Sequence, residues 1–362
     1  MKKRWDDLYR YVSFFDPLTG QGARSNTFSK EGIDSGQDPF QGSFPELLDI
    51  GIMGSCEHGK SGLCLASGVQ CYQKGGEIEE AHMSFETFAK IIDQAQHKTF
   101  QIALGGRGDP DQHPDIIKML TYAHNHGVTP NFTTSGYGLR KDLLPVIKQC
   151  CGAVAVSWYR NHYTLDAIKI LTDYGIKTNI HYVLSKDTLK EAIELIEHQS
   201  WPQSINRIIF LLHKPVGFGS LDQVLDIKDP QVQHFFSLFD RPEIANNAGF
   251  DSCCVPAILN LTTKISPLCI EACEAGRFSA FISPDNKLIP CSFEKDEAYA
   301  VSLDEMSLQD AWDSEPFERF RSKQTGKCIG CSSKSSCYSG CPIIPEITLC
   351  DRFQFDQKES YL

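Results

Sequence analysis

Fifteen cysteines in 362 residues are the part of this sequence best equipped for chemistry, and they fall into groups. Cys56, Cys64 and Cys71 lie in SCEHGKSGLCLASGVQCYQKG (55–75), with gaps of seven and six residues. Three thiolates on a glycine-containing loop can close around one metal centre and leave a coordination position open for a reactant. Zinc, with His58 as a fourth ligand, suits the same loop. The second group is Cys269, Cys273, Cys291, Cys328, Cys331, Cys337, Cys341 and Cys350. Eight thiolates within 82 residues suffice for two four-thiolate sites. A two-residue gap such as Cys328–Cys331 also suits zinc, so residue types alone leave iron–sulfur and zinc open. Cys150, Cys151, Cys253 and Cys254 occur as adjacent pairs whose side chains point apart. They read as buried thiols. The odd cysteine count, on a long chain without an export signal, argues against a disulfide framework.

The first cysteine loop needs a scaffold, and the hydrophobic rhythm supplies one from residue 47 onward. Strand-like runs are LLDIGIMG (47–54), FQIALGG (100–106), GVTPNFTTS (127–135), GAVAVSW (152–158), IKTNIHYVL (176–184) and INRIIFLLH (205–213). Between them stand helical runs at 84–96, 113–127, 139–150, 164–175 and 187–199. Ser84 is placed as an N-cap, and Leu165, Ile168 and Leu171 share a helical face. Six strands alternating with helices imply parallel pairing and right-handed crossovers. The expected fold class is α/β, a partial (β/α)6 TIM-like barrel, with reactive groups at the C-terminal ends of its strands. The cysteine loop directly follows the first of these strands. The expected organisation is an irregular arm (1–45), a barrel core (46–220), a connecting segment (221–265) and a small cysteine-rich module (266–362).

Composition narrows the function classes. With 41% hydrophobic and 22% charged residues the chain reads as a folded soluble protein. Its apolar runs are of strand length, short of the roughly 18 residues of a membrane helix. A formal charge of −11 disfavours a nucleic-acid surface, which needs excess Lys and Arg. Asp6 and Asp7 stand where a signal peptide would be apolar. The expectation is a cytoplasmic protein with neither a membrane nor a nucleic acid as partner.

The order Cys273, DNKLIPC (285–291), C-x2-C-x5-C-x3-C (328–341) and Cys350 resembles the SPASM module of radical S-adenosylmethionine (radical SAM) enzymes. That module usually carries Gly where Asn286 stands, and Asn tolerates the same left-handed turn. The barrel is consistent with this resemblance. GGRGDP (105–110) is similar to the Gly-Gly-Glu-Pro turn after the second strand, with Asp109 in place of Glu and Arg107-Gly108 inserted. TTSG (133–136) resembles the motif after the third strand, Ser157 ends the fourth, and Cys71-Tyr72 matches a frequent Cys-Tyr ending. The family's usual cysteine spacing, three and two residues, is shorter than the one here. The resemblance spans roughly residues 46–355.

The resemblance implies three [4Fe–4S] clusters and SAM as cofactors. Cys56, Cys64 and Cys71 would hold the SAM cluster. Gly105, Gly106, Asp109, Ser135 and Ser157 would contact SAM. Cys269, Cys273, Cys291 and Cys341 would hold one auxiliary cluster, and Cys328, Cys331, Cys337 and Cys350 the other. The implied reaction is one-electron cleavage of SAM to a 5′-deoxyadenosyl radical, which removes hydrogen from a substrate. The protein's share is placement and exclusion of water. No catalytic residue is assigned. Relatives of this kind modify peptides, by crosslinking, epimerisation or oxidation during maturation. The implied partners are therefore a peptide or protein substrate and a flavodoxin- or ferredoxin-type electron donor. A small metabolite or carbohydrate substrate is the first alternative, and a non-catalytic zinc or iron–sulfur scaffold or electron carrier the second. Among other residues, Arg107 suits a carboxylate partner or solvent. His113 suits a helix cap and His181 the core. KPVGFGS (214–220) offers bare glycines to adenosine or substrate.

Overall fold

The computed structural model describes residues 1–324, 328 and 331–351; the tail 352–362, counted above in the cysteine-rich module, lies outside the described residues. The chain divides into two compact units. The first holds Met1–Val69, Gln73–Asn179 and Ala275–Arg321; the second holds Gln70–Tyr72, Ile180–Glu274 and the described residues from Ser322 onward.

In the first unit, residues expected as an irregular arm form an antiparallel sheet of β1 (Lys2–Asp6), β2 (Tyr11–Phe15) and β3 (Gly22–Arg24), in the order β1-β2-β3. The correction has a local cause. YVSFF alternates, burying Tyr11, Ser13 and Phe15 while Val12 and Phe14 stay half-exposed, which is the strand period. The polar stretch that follows masks this signal when the first 45 residues are read by composition. Glu46 anchors the sheet: it accepts from Tyr11 Oη at 3.0 Å and pairs with Arg4 at 3.1 Å and Arg24 at 2.8 Å.

Four parallel strands of the barrel follow in this unit: β4 (Leu47–Met53), β5 (Gln101–Gly106), β6 (Thr129–Thr134) and β7 (Val154–Ser157). Leu47 pairs with Gln101, Gln101 with Thr129, and Phe132 with Val154. The helices between them are α1 (Phe85–Ala95), α2 (Ile116–Asn125) and α3 (Leu144–Cys150), with α4 (His162–Asp173) after β7. The Ser84 side chain accepts from the Thr87 amide and caps α1. Helix α4 buries Thr164, Ala167, Ile168 and Leu171, whereas Leu165 is 45% exposed. The apolar face assigned to Leu165 is therefore corrected by one position, to Thr164, whose hydroxyl donates to the Ser135 carbonyl at 3.1 Å.

The segment 275–321 also belongs to this unit, although a separate module was expected from 266. Strand β8 (Ser279–Ile282) adds to the sheet parallel to β4, with Ser279 opposite Leu47, and forms a hairpin with β9 (Lys287–Ile289). The β/α rhythm stops at 266, but the sheet has an open edge there, and SAFI is apolar enough to take it. In the hairpin Asn286 adopts φ 61, the left-handed turn anticipated from the sequence. Its side-chain amide donates to Asp304 Oδ1 at 2.7 Å. Asn286→Ala should cost about 1 kcal/mol, the penalty of a Cβ in this region without a local polar partner, whereas Asn286→Gly should hold its melting temperature. Thermal unfolding of both variants checks this.

The second unit contains the strand Arg207–Leu212, paired in parallel with Ala248–Phe250 so that Ile208 faces Ala248. The helices Lys186–Glu197 and Pro230–Ser237 also fold here. The unit boundary falls inside the strand Thr178–Leu184. Phe210, Phe235, Phe239 and Phe250 form one aromatic core, with ring centroids 4.4 to 6.4 Å apart. Among the described residues no helix is long and apolar enough to cross a membrane.

Candidate functional site

The loops after β4, β5 and β6 meet at the C-terminal ends of these strands. After β4 the chain makes a one-turn helix, Glu57–Lys60, whose N-cap is Cys56. The Cys56 sulfur accepts the Gly59 amide at 3.1 Å, the kind of donation that stabilises a thiolate. Glycines let this loop pack backbone on backbone. A Cβ on Gly108 would fall 2.3 Å from the Ser55 carbonyl oxygen and 3.1 Å from Cys56 Cα. A Cβ on Gly75 would fall 3.1 Å from Cys56 Cβ. The insertion Arg107-Gly108 thus supplies the small residue that the Cys56 loop rests on. Arg107 itself is engaged in holding the loop. It donates to the Gln73 and Gly54 carbonyls and pairs with Glu80 at 2.7 Å.

Asp109 and Ser135, expected on separate SAM-contacting loops, are brought together. The Ser135 amide donates to Asp109 Oδ1 at 2.7 Å and its hydroxyl to Oδ2 at 2.5 Å. Burial, and then the neighbouring Asp111 carboxyl, push the Asp109 acid up to about 7 despite these donors. Asp111 is fully buried and raised by burial; one of its oxygens has no hydrogen-bond partner. The sign follows. An acid raised on folding lowers stability as pH climbs from the ordinary aspartate range near 4 toward 7, and the full penalty stands above that. Asp109→Asn should therefore gain thermal stability relative to the cluster-free wild type progressively between about pH 4 and 7, with no further gain above. Paired melting curves across this range check it.

Gly105 and Gly106 end β5, and Gly105 has open space where a side chain would stand. Ser157 ends β7 and is half-buried. His58 is enclosed by Tyr137, Tyr159 and Tyr163, each ring centroid 5.3 Å away, and its Nε2 shares a 2.6 Å hydrogen bond with the Tyr163 hydroxyl. Burial lowers the imidazole to about 4. The residue that a zinc reading enlists is thus committed to an aromatic cage, which its spacing from tyrosines on other loops did not reveal. His113 is buried, bonding the Met83 carbonyl through Nε2 and accepting the Asp115 amide at Nδ1, the structural role expected of it. A cavity of about 330 Å3 in this unit is lined by Gly106, Arg107, Phe281, Ser292, Glu294 and Lys295 among others. Ser292 directly follows Cys291.

Cys56 and Cys64 belong to the first unit and Cys71 to the second. There the KPVGFGS loop grips the Cys71-Tyr72 turn. The Phe218 amide donates to the Cys71 carbonyl at 2.9 Å. Gly217, at φ 66, lies so close that a Cβ would stand 2.4 Å from the Tyr72 oxygen and 2.7 Å from that of Cys71. Gly217 of this motif thus packs against the Cys71-Tyr72 turn, a contact its sequence did not reveal. His181 is pushed down to about 4 by burial.

Within the second unit Cys337 lies in electrostatic reach of Cys350 and Cys328. Its thiol is raised by burial to about 11, while the Gly340 and Ser339 amides oppose the rise. The Cys341 sulfur accepts the Ile344 amide at 3.3 Å. Cys331 is half-buried, as are Cys273 and, in the first unit, Cys291; Cys269 is exposed. Among the described residues no disulfide joins any of the fifteen cysteines. Among the described residues no three Cys, His, Asp or Glu side chains converge tightly enough for a single ion. A cubane spreads its thiolates wider, because each binds a different iron. Thiols that receive backbone N–H groups fit such a cluster.

The SPASM family, described as an iron-sulfur cluster-binding domain, matches residues 273–338. The fold is similar to that of SuiB from Streptococcus suis, solved with S-adenosylmethionine, at a TM-score of 0.62 and 18% identity over 87% of this chain and 78% of SuiB. SuiB bound to the precursor peptide SuiA aligns at 0.60, with 18% identity over 86% and 77%. The anSMEcpe structure with AdoMet and the Cp18Cys peptide aligns at 0.58, with 12% identity over 82% and 89%. In sequence, the tungsten-containing aldehyde ferredoxin oxidoreductase cofactor-modifying protein of Pyrococcus furiosus is 24% identical over 152 residues. That match spans 35% of this chain and 43% of the relative. The chain thus has the fold of these solved structures and carries, at residues 273–338, a match to the iron–sulfur cluster-binding SPASM domain.

Proposed function

We propose that this chain reductively cleaves SAM and uses the product to abstract hydrogen from a peptide or protein. The observation that carries the reading is the meeting of three loops, with Gly108 against Cys56 and Asp109 clasping Ser135. It places one of the three thiols of the first loop beside the turn that would receive the SAM amino group. Cys56, Cys64 and Cys71 would hold the SAM-binding cluster, which supplies the electron for C–S bond cleavage. Asp109 and Ser135 orient the amino-acid end of SAM. The bare Gly105 leaves room for the ligand to approach the backbone, and Ser157 offers a hydroxyl from the next strand but one. The cavity between Arg107 and Ser292 offers a substrate a route toward Cys291.

The second set of cysteines would hold two auxiliary clusters, for a total of three. For one of them, the neighbourhood of Cys328, Cys337 and Cys350 supports the assignment. A peptide substrate is favoured because SuiB and anSMEcpe are solved with peptides. An electron donor of flavodoxin or ferredoxin type and a cytoplasmic location belong to the same reading. The test is anaerobic incubation of the reconstituted protein with SAM and dithionite. Formation of 5′-deoxyadenosine and methionine is expected, and unchanged SAM would refute the reading.

A further inference from the structure

The loop that carries Cys56 and Cys64 has little packing of its own. Of residues 56–69, all among the described ones, His58 alone is buried. The short helix Leu63–Ala66, which includes Cys64, buries no residue. A segment so exposed opens locally unless something anchors it, and His58 is that anchor. Its Nε2 shares the 2.6 Å hydrogen bond with the Tyr163 hydroxyl. Tyr137 stacks on the imidazole at an interplanar angle of 22°, and the Tyr163 ring meets it edge-on at 85°. The same turn fixes Cys56. The amide of Gly59, the residue after His58, donates to the Cys56 sulfur at 3.1 Å, and the Lys60 amide donates to the Cys56 carbonyl at 2.9 Å. Moving His58 therefore moves the sulfur.

Tyr163 is itself fixed to the other half of the site. It stands in the first turn of α4, where the Asn161 side chain accepts the Thr164 amide at 2.9 Å. Thr164 is fully buried and bonds the carbonyl of Ser135, the residue that clasps Asp109. Gly136, at φ 82, brings the two turns into backbone contact. A Cβ there would stand 2.9 Å from the Tyr163 carbonyl oxygen and 2.6 Å from Ala167 Cβ. Two consecutive residues of one helical turn thus reach the cysteine loop and the acid clasp. We propose that Tyr163 is a positioning residue for the SAM-binding cluster. Through His58 it sets where the Cys56 sulfur stands relative to Asp109 and Ser135. The seven residues between Cys56 and Cys64 are too exposed to fix that sulfur themselves, and the tyrosine supplies the missing constraint.

The inference rests on the SAM chemistry proposed above, and the experiment separates the two. Tyr163→Phe keeps the ring and loses only the hydroxyl; His58→Phe keeps the cage filled and loses the same bond. Both variants, their combination and the wild type are first treated with iodoacetamide in the cluster-free state. Peptide mass spectrometry then reads the alkylation rate of Cys56 against that of Cys150, a buried thiol of α3 in the same unit. Each single variant should alkylate Cys56 about fivefold faster, the equilibrium weight of one hydrogen bond, with Cys150 unchanged. The double variant should be no faster than either single one, because both substitutions remove one interaction. After anaerobic reconstitution Tyr163→Phe should hold its full iron content while its KM for SAM rises by a similar factor. Unchanged alkylation of Cys56 overturns the inference, as do additive effects in the double variant. A parallel rise at Cys150 overturns it too, since that marks general loosening. Faster alkylation with an unchanged KM reduces the bond to a structural one and equally overturns it. A wild type that leaves SAM unchanged overturns the functional reading, and the alkylation rates still decide whether Tyr163 holds the Cys56 turn.

Discussion

Cys71→Ala is expected to reduce SAM cleavage to the background of the cluster-free protein. Three thiolates are the minimum that holds a cubane while leaving one iron open to a substrate, so removing one removes the site and not merely an increment of affinity. The local structure makes Cys71 a stringent choice. Its carbonyl and that of Tyr72 lie against Gly217, and the Phe218 amide bonds the Cys71 carbonyl. An alanine fits this backbone without disturbance, so any loss reports the sulfur alone. Retained formation of 5′-deoxyadenosine by a correctly folded Cys71→Ala protein would sink the assignment of this loop. Circular dichroism of the variant confirms the fold.

Cys337→Ala should separate the two halves of the chemistry. Its neighbours are Cys328 and Cys350, and none of the residues assigned to SAM lies within that group. The variant is expected to keep measurable reductive cleavage of SAM while substrate product falls below detection. The physical reason is that a cluster missing one thiolate is lost or exposed to solvent, and its potential shifts with either change. Equal loss of both activities would mean that the auxiliary site supports the first cluster. Retention of both would remove Cys337 from the mechanism. Mass spectrometry of substrate and of 5′-deoxyadenosine in one reaction reads both outcomes.

Much of the barrel was legible because its signals are local. LLDIGIMG and FQIALGG announce strands by their length and apolar content, and the Ser84 cap lies where the sequence put it. Asn286 carries its left-handed conformation in its residue type. What escaped depends on distant contacts. The alternation of YVSFF spans five residues and was diluted by the polar segment after it. Strand β8 reads as part of a cysteine-rich module until the open edge of β4 is known. The clasp of Asp109 by Ser135 joins two motifs that are recognised separately, since they stand 26 positions apart with a helix between them. The glycines of KPVGFGS were read as facing a ligand because nothing in sequence says that Cys71 packs on Gly217.

The central claim is that the cysteines hold iron and sulfide. Metal analysis of protein purified and reconstituted without oxygen tests it most directly. Three [4Fe–4S] clusters predict about twelve irons and as many sulfides per chain, with the broad visible absorption of such clusters. Stoichiometric zinc with little iron, after the same reconstitution, would contradict the account.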